Sequence, residues 1–229
     1  MSCILHIDTS TSVCSVAVSE DGACIYHEED LTGQHHAELL GTYVDQALSF
    51  IDSHAIPLDA VAVSSGPGSY TGLRIGVSMA KGICYALGIP LLSVPTLQLL
   101  TVPVLLGREL EDDALLCPMI DARRMEVYAA VYDRALHEVR GTQADIVDAD
   151  TYKEWLDQHP VYFMGNGADK CREVIQNPNA RWIDGILPLA KNMFPLAEQR
   201  LLRGQTEDVA YFVPFYLKDF VAKTPKKLI

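Results

Sequence analysis

Apolar residues alternate or cluster through the first thirty positions in a way that predicts a three-stranded meander: strands over 4–7, 13–18 and 23–27, with Asp21-Gly22 as the hairpin turn between the last two. The period then changes. Leu39, Leu40, Tyr43, Val44, Ala47, Leu48 and Ile51 repeat at helical spacing, while Glu38, Asp45 and Asp52 fall elsewhere on the surface. A short β-branched run at 60–63 ends in a glycine loop, a second helix follows, then a strand at 89–94 and a third helix at 96–106. Three strands, helix, strand, helix, strand, helix is the order of one ribonuclease H-like unit, the unit found twice in actin-like proteins.

Beyond an exposed linker at 108–113 the pattern starts again, less distinctly. Strands are expected at 115–121, 127–132 and 136–140, a helix at 151–158, a strand at 161–164, a turn at Gly165-Asn166-Gly167, a helix from there to 175, and another over 189–203. The predicted fold class is therefore α/β, with two ribonuclease H-like domains, each a mixed five-stranded sheet flanked by helices, the second trimmed. Residues 1–107 are assigned to the first domain and 108–229 to the smaller second one.

Composition narrows the class. A hydrophobic fraction of 49% with 21% charged residues describes an ordered globular chain, not a disordered one. The N-terminus has no basic residue ahead of its apolar run and meets Asp8 early, and the apolar span 91–106 is broken by Pro95 and Pro103, so a cytoplasmic protein without a membrane segment is expected. Six scattered cysteines with no C-x-x-C pair read as reduced, buried thiols. The net charge of −12 disfavours binding a polyanion alone, and the basic tail at 223–227 reads as a solvated terminus.

The candidate chemistry follows. Asp8, Thr9 and Ser10 end the first strand where actin-like ATPases hold magnesium and phosphate, and Gly165 and Gly167 are positioned to meet a nucleotide from the second domain; the reading is a vestigial site with weak ATP or ADP binding, no cofactor being required. His35-His36 lacks a partner at i+4, where Leu39 and Leu40 stand, so helix-start polar residues are expected there and no metal site. Ser64, Ser65 and Ser69 lack a G-x-S-x-G frame. Gly72, Gly76 and Ala80 form a small-residue row on the second helix, beside Ser78 and Gly82, and helical glycines that each cost about 0.8–1.0 kcal/mol need a packing reason. The row could receive the first helix of the same chain or a helix of another subunit.

Four stretches, ILHIDTSTSVCSVAV, SSGPGSYTGLRIGVSMAKG, IDARRMEVYAAVY and VPFYLK, together resemble the TsaB (YeaZ) family over nearly the whole chain. The resemblance implies a non-catalytic subunit of the machinery that makes threonylcarbamoyladenosine beside the tRNA anticodon. It implies binding to the transferase TsaD, joined by the ATPase TsaE, a homodimer when alone, and tRNA contact only through the complex. It also implies an interface on the first two helices, carried here onto His36, Leu39, Leu40, Tyr43, Gly72, Gly76, Met79, Ala80 and Ile83. Two rivals are an actin-like ATPase or small-molecule kinase using the inter-domain cleft, and a glycoprotease-type metallopeptidase. The latter lacks its H-x-x-x-H ligands, because Leu39 and Leu40 occupy that helix.

Overall fold

The computed structural model describes residues 2–33 and 35–218; the tail at 223–227 lies outside them. The chain opens with β1 (Cys3–Asp8), β2 (Cys14–Glu20) and β3 (Ala23–Asp30), then α1 (His36–Ser53), β4 (Ala60–Gly66), α2 (Tyr70–Leu87), β5 (Leu91–Pro95) and α3 (Thr96–Gly107). The second series is β6 (Leu115–Asp121), β7 (Glu126–Tyr132), β8 (Glu138–Ile146), a one-turn α4 (Lys153–Leu156), β9 (Val161–Met164), β10 (Ala180–Ile183) and α5 (Phe194–Leu202). The first sheet runs β3-β2-β1-β4-β5 and the second β8-β7-β6-β9-β10. In each, the first two pairings are antiparallel and the last two parallel, so the two sheets are copies of one topology.

Alternation places Cys3, Leu5 and Ile7 against α1 and α2, with Leu40, Val44, Ala47 and Ile51 forming the stripe that α1 buries. Ile4 faces the other way, with Ala60, Ala62, Leu92 and Val94. Between the sheets lies α3, apolar on all sides because both of its sides are covered: Leu99 and Val102 pack on the first sheet, Leu97, Leu100 and Val104 on the second. No helix among the described residues is long and apolar enough to cross a membrane.

The second half departs from expectation. The third strand begins at Glu138, two residues late, because Leu136 sits in a left-handed turn with φ 64°. The helices expected at 151–158 and after Gly167 shrink to the four residues of α4 and a three-residue 3-10 turn, Asp169–Cys171. The strand β10 had no alternating apolar signal, since it pairs only at a parallel edge. A linear cut at 107 also fails: Met193, Leu196 and Ala197 of the terminal segment pack on Ile4 and Leu92, Glu207 N–H donates to Leu91 O (2.8 Å), and Phe215 N–H donates to Ser65 O (2.7 Å). The described stretch from about 189 to 216 thus packs on the first sheet, so a cut at 107 does not divide the described residues into two separate units.

Candidate functional site

The glycine loop positions α2. Gly66, at φ +104°, turns the chain, Ser69 Oγ accepts the Gly72 N–H (3.2 Å), and Gly88, left-handed at φ 67°, closes the helix. A Cβ on Gly68 would collide with the Ser10 carbonyl, one on Gly72 with the Thr9 carbonyl, and one on Gly76 with Thr9 Oγ1. Thr9 Oγ1 donates to Gly72 O at 2.7 Å, locking helix to turn. These glycines therefore admit the chain's own β1–β2 turn. The expectation that the row faces another helix is corrected for Gly72 and Gly76, which are buried against residues of β1 and its turn, while Ala80 is buried in the core shared with Leu40, Val44 and Ala47 of α1 and so faces the same chain and no other subunit. Leu40, only 1% exposed, is likewise core.

The opposite face of α2 is open. Thr71, Arg74, Ile75, Ser78, Met79, Gly82, Ile83 and Ala86, with Tyr70 at one end, line a shallow groove of about 790 Å³. Ile75, Met79 and Ile83 touch the core from one side and solvent from the other. Leu39 and Tyr43 of α1 are likewise half-buried. Of the expected interface residues, Leu39, Tyr43, Met79 and Ile83 are accessible. His36 is tied down, its Nε2 hydrogen-bonded to Val13 O (3.0 Å), and His35 Nδ1 pairs with Asp30 (3.1 Å). Ile75 was missed, and Ser78 and Gly82 were noted only as a small row beside the glycines, though the spacing 71, 75, 78, 82 and 86 is a helical face in its own right.

The expected nucleotide residues are built into the core. Asp8 is 0% exposed; Ser10 Oγ donates to Oδ2 (3.0 Å), and Ser64 Oγ donates to the same oxygen. Desolvation dominates these hydroxyls and pushes the Asp8 carboxyl up to about 7. Gly165 presses on Met119 O, and Gly167 on the backbone of Ile120 and Asp121. Gly165 repeats the positive φ of Gly66, and Gly167 repeats the close approach that Gly68 makes to the end of the first strand of its sheet. Each set makes these contacts within its own half.

A buried polar cluster sits elsewhere. Arg140 donates to both Asp145 oxygens, at 3.1 Å to Oδ1, Tyr152 OH donates to Oδ2 (2.6 Å), and the guanidinium lies 5.3 Å over the Tyr152 ring. With every carboxylate oxygen occupied, it ties β8 to α4. All six cysteines are unpaired, and burial pushes Cys3, Cys84 and Cys171 up to about 11. Among the described residues no group of three His, Cys, Asp or Glu side chains could hold a metal.

A family model described as TsaD, tRNA N6-adenosine threonylcarbamoyltransferase, matches residues 29–226. The tRNA threonylcarbamoyladenosine biosynthesis protein TsaB of Escherichia coli (strain K12) is 32% identical over 98% of this chain and 99% of its own. The chain belongs to the TsaB (YeaZ) family. The TsaB of Bacillus subtilis (strain 168) is 29% identical over 94% of this chain and 93% of its own. YeaZ from Pseudomonas aeruginosa, a solved structure, superimposes with a TM-score of 0.81 at 27% identity, covering 95% of this chain and all of that one. Two sheets of one topology, read above from the strand orders, are thus the actin-like architecture of TsaB-family proteins. Four glycines of the segment 64–82 are close-approach positions of this packing.

Proposed function

We propose that the chain is a non-catalytic partner subunit in tRNA threonylcarbamoyladenosine biosynthesis, and that it docks a transferase subunit of the TsaD kind through the outward face of α2 and the neighbouring Leu39 and Tyr43 of α1. One observation carries this reading: Ile75, Met79 and Ile83 form an apolar stripe in an open groove, on a helix whose other side is already filled by its own chain. An apolar groove on a helix pair suits an amphipathic helix laid along it. The names of the relatives support the pathway, each being a tRNA threonylcarbamoyladenosine biosynthesis protein.

The finer assignments follow from charge and burial. A net charge of −12 fits a subunit that leaves tRNA contact to its partners, among them a TsaE-type ATPase. In this reading the protein alone pairs with a second copy through the same groove, and needs no nucleotide, because the hydroxyls and carboxylate of Asp8, Thr9 and Ser10 are spent on Ser64, Gly72 and one another. The test is size-exclusion chromatography with light scattering, on the protein alone and mixed with the TsaD homologue of the same organism. A one-to-one complex that replaces any homodimer is expected. Separate elution of the two proteins at concentrations on the order of 10 μM, with and without ATP and TsaE, would overturn the assignment.

A further inference from the structure

The segment after α5 does not end the fold quietly. Residues 208–216 run as a strap alongside α2 from Lys81 back to Tyr70, beginning in a turn in which Phe212 N–H donates to Asp208 O (2.8 Å) and continuing as irregular chain to Tyr216. They are pinned by the Phe215 N–H to Ser65 O bond (2.7 Å), by Lys81 Nζ donating to Ala210 O (3.1 Å) and Phe212 O (3.0 Å), and by a tilted contact of the Tyr216 and Tyr70 rings with centroids 4.7 Å apart. Along it the side chains alternate: Phe212 is half-buried and Pro214 buried, while Tyr211, Val213 and Phe215 are 83%, 68% and 47% exposed. Such alternation normally points the apolar set inward. Here both sets are apolar, and the described residues leave the outward set largely uncovered.

The strap flanks the groove. Tyr70 lines its end, and Lys81, eleven residues later, lies within about 20° of Tyr70 around the helix. Lys81 and Tyr70 are the side chains that hold the strap, so the outward stripe borders the open face of α2 on the side away from α1. Tyr85, 85% exposed, projects from α2 between the two. Size argues the same way. A stable interface takes roughly 20–30 residues a side, and nine line the groove.

We propose that Tyr211, Val213 and Phe215 form a second arm of the docking surface, gripping the edge of the same transferase subunit whose helix fills the groove. This rests on the docking reading above. The strap gives the partner an apolar ledge continuous with the α2 face, and its backbone is held by α2 itself, so it presents the ledge without an ordering cost. The occupant is the TsaD-type subunit and not a second copy.

Binding of the full-length chain to the TsaD homologue, by calorimetry, distinguishes the possibilities when Val213→Asp and Tyr211→Asp are compared with Ile83→Asp in the groove and Leu202→Asp on a remote exposed site, circular dichroism verifying each fold. Each strap variant should weaken the complex about tenfold or more, and Leu202→Asp should bind as wild type. Wild-type affinity in both strap variants, with loss in Ile83→Asp, overturns the strap and leaves the groove standing. Wild-type affinity in Ile83→Asp, with loss in the strap variants, supports the strap and overturns the groove. Strap variants that impair only self-association overturn the choice of occupant, and no binding by the wild-type chain overturns both proposals.

Discussion

Gly72→Ala and Gly82→Ala make the same chemical change on the same helix, and the fold gives them opposite signs. At Gly82 an added Cβ meets nothing within 4 Å, so the alanine should gain the usual helix preference, about 0.8–1.0 kcal/mol. At Gly72 the added carbon falls about 1 Å inside the 3.0 Å that real Cβ atoms keep from the Thr9 carbonyl oxygen, where attraction has become repulsion. That oxygen is backbone and cannot rotate away, so helix and turn must separate, bending the Thr9 Oγ1 bond to Gly72 O. Overpacking costs typically about 1–3 kcal/mol and a weakened buried bond about 1 more, against the propensity gain. The net expectation for Gly72→Ala is a loss of roughly 1–3 kcal/mol. At about 2–4 °C per kcal/mol for a chain of this length, thermal unfolding followed by circular dichroism should show Gly82→Ala melting about 2–4 °C above wild type and Gly72→Ala at least as far below. A Gly72→Ala protein that melts at or above the wild-type temperature would refute the close-approach account of the glycine segment, and with it the inward assignment of this helix face.

Three further outcomes follow from the same geometry. Burial lowers His6 to about 3 and raises Asp8 to about 7, so on acidification His6 withdraws stability from pH 6.5 downward while Asp8 adds it between pH 7 and its unfolded value of 3.8. The two slopes oppose each other, and Asp8→Asn should therefore lose stability relative to wild type by about 1.4 kcal/mol per pH unit across that window, read by urea unfolding at pH 7, 6 and 5; parallel profiles would contradict it. Arg140→Met strands the buried Asp145 carboxylate with only the Tyr152 hydroxyl and should cost about 3 kcal/mol by urea unfolding, a loss under 1 kcal/mol contradicting the clamp. Ile83→Asp removes a half-buried side chain and should lower the melting temperature by only about 2–4 °C, the fold staying intact, while abolishing co-elution with the transferase; co-elution at wild-type level would move the interface elsewhere.

How much the sequence disclosed varies by region for physical reasons. The first half was legible because its strands are buried on both faces or alternate cleanly, and α1 and α2 are long enough for their period to show; every element there was expected, with ends shifted by a few residues. Past Ile146 the legibility is uneven: β9 and the terminal helix α5 were expected, but α4 and β10, at four residues each, are too short for a period to register. The return of the terminal segment to the first sheet leaves no local signature, because Met193 and Leu196 are apolar whichever sheet they cover. The glycine row was seen but turned the wrong way, since spacing identifies a face of small residues without saying whether a helix or a strand turn lies against it. Ile75, on the neighbouring face, shows the complementary blindness: a half-buried isoleucine in a helix reads as core until the structure leaves its flank uncovered.

The doubled sheet topology limits what the molecule can build. In an actin-like chain two equivalent halves offer two helical flanks, and subunits with two non-matching faces add head to tail without closing. Here the glycine corner of the first half launches the eighteen residues of α2, while its counterpart at Gly165 and Gly167 launches a single 3-10 turn. The second half has kept the corner and discarded the arm. The docking proposed above therefore has a single helical arm to work with, and pairing through that arm joins one neighbour.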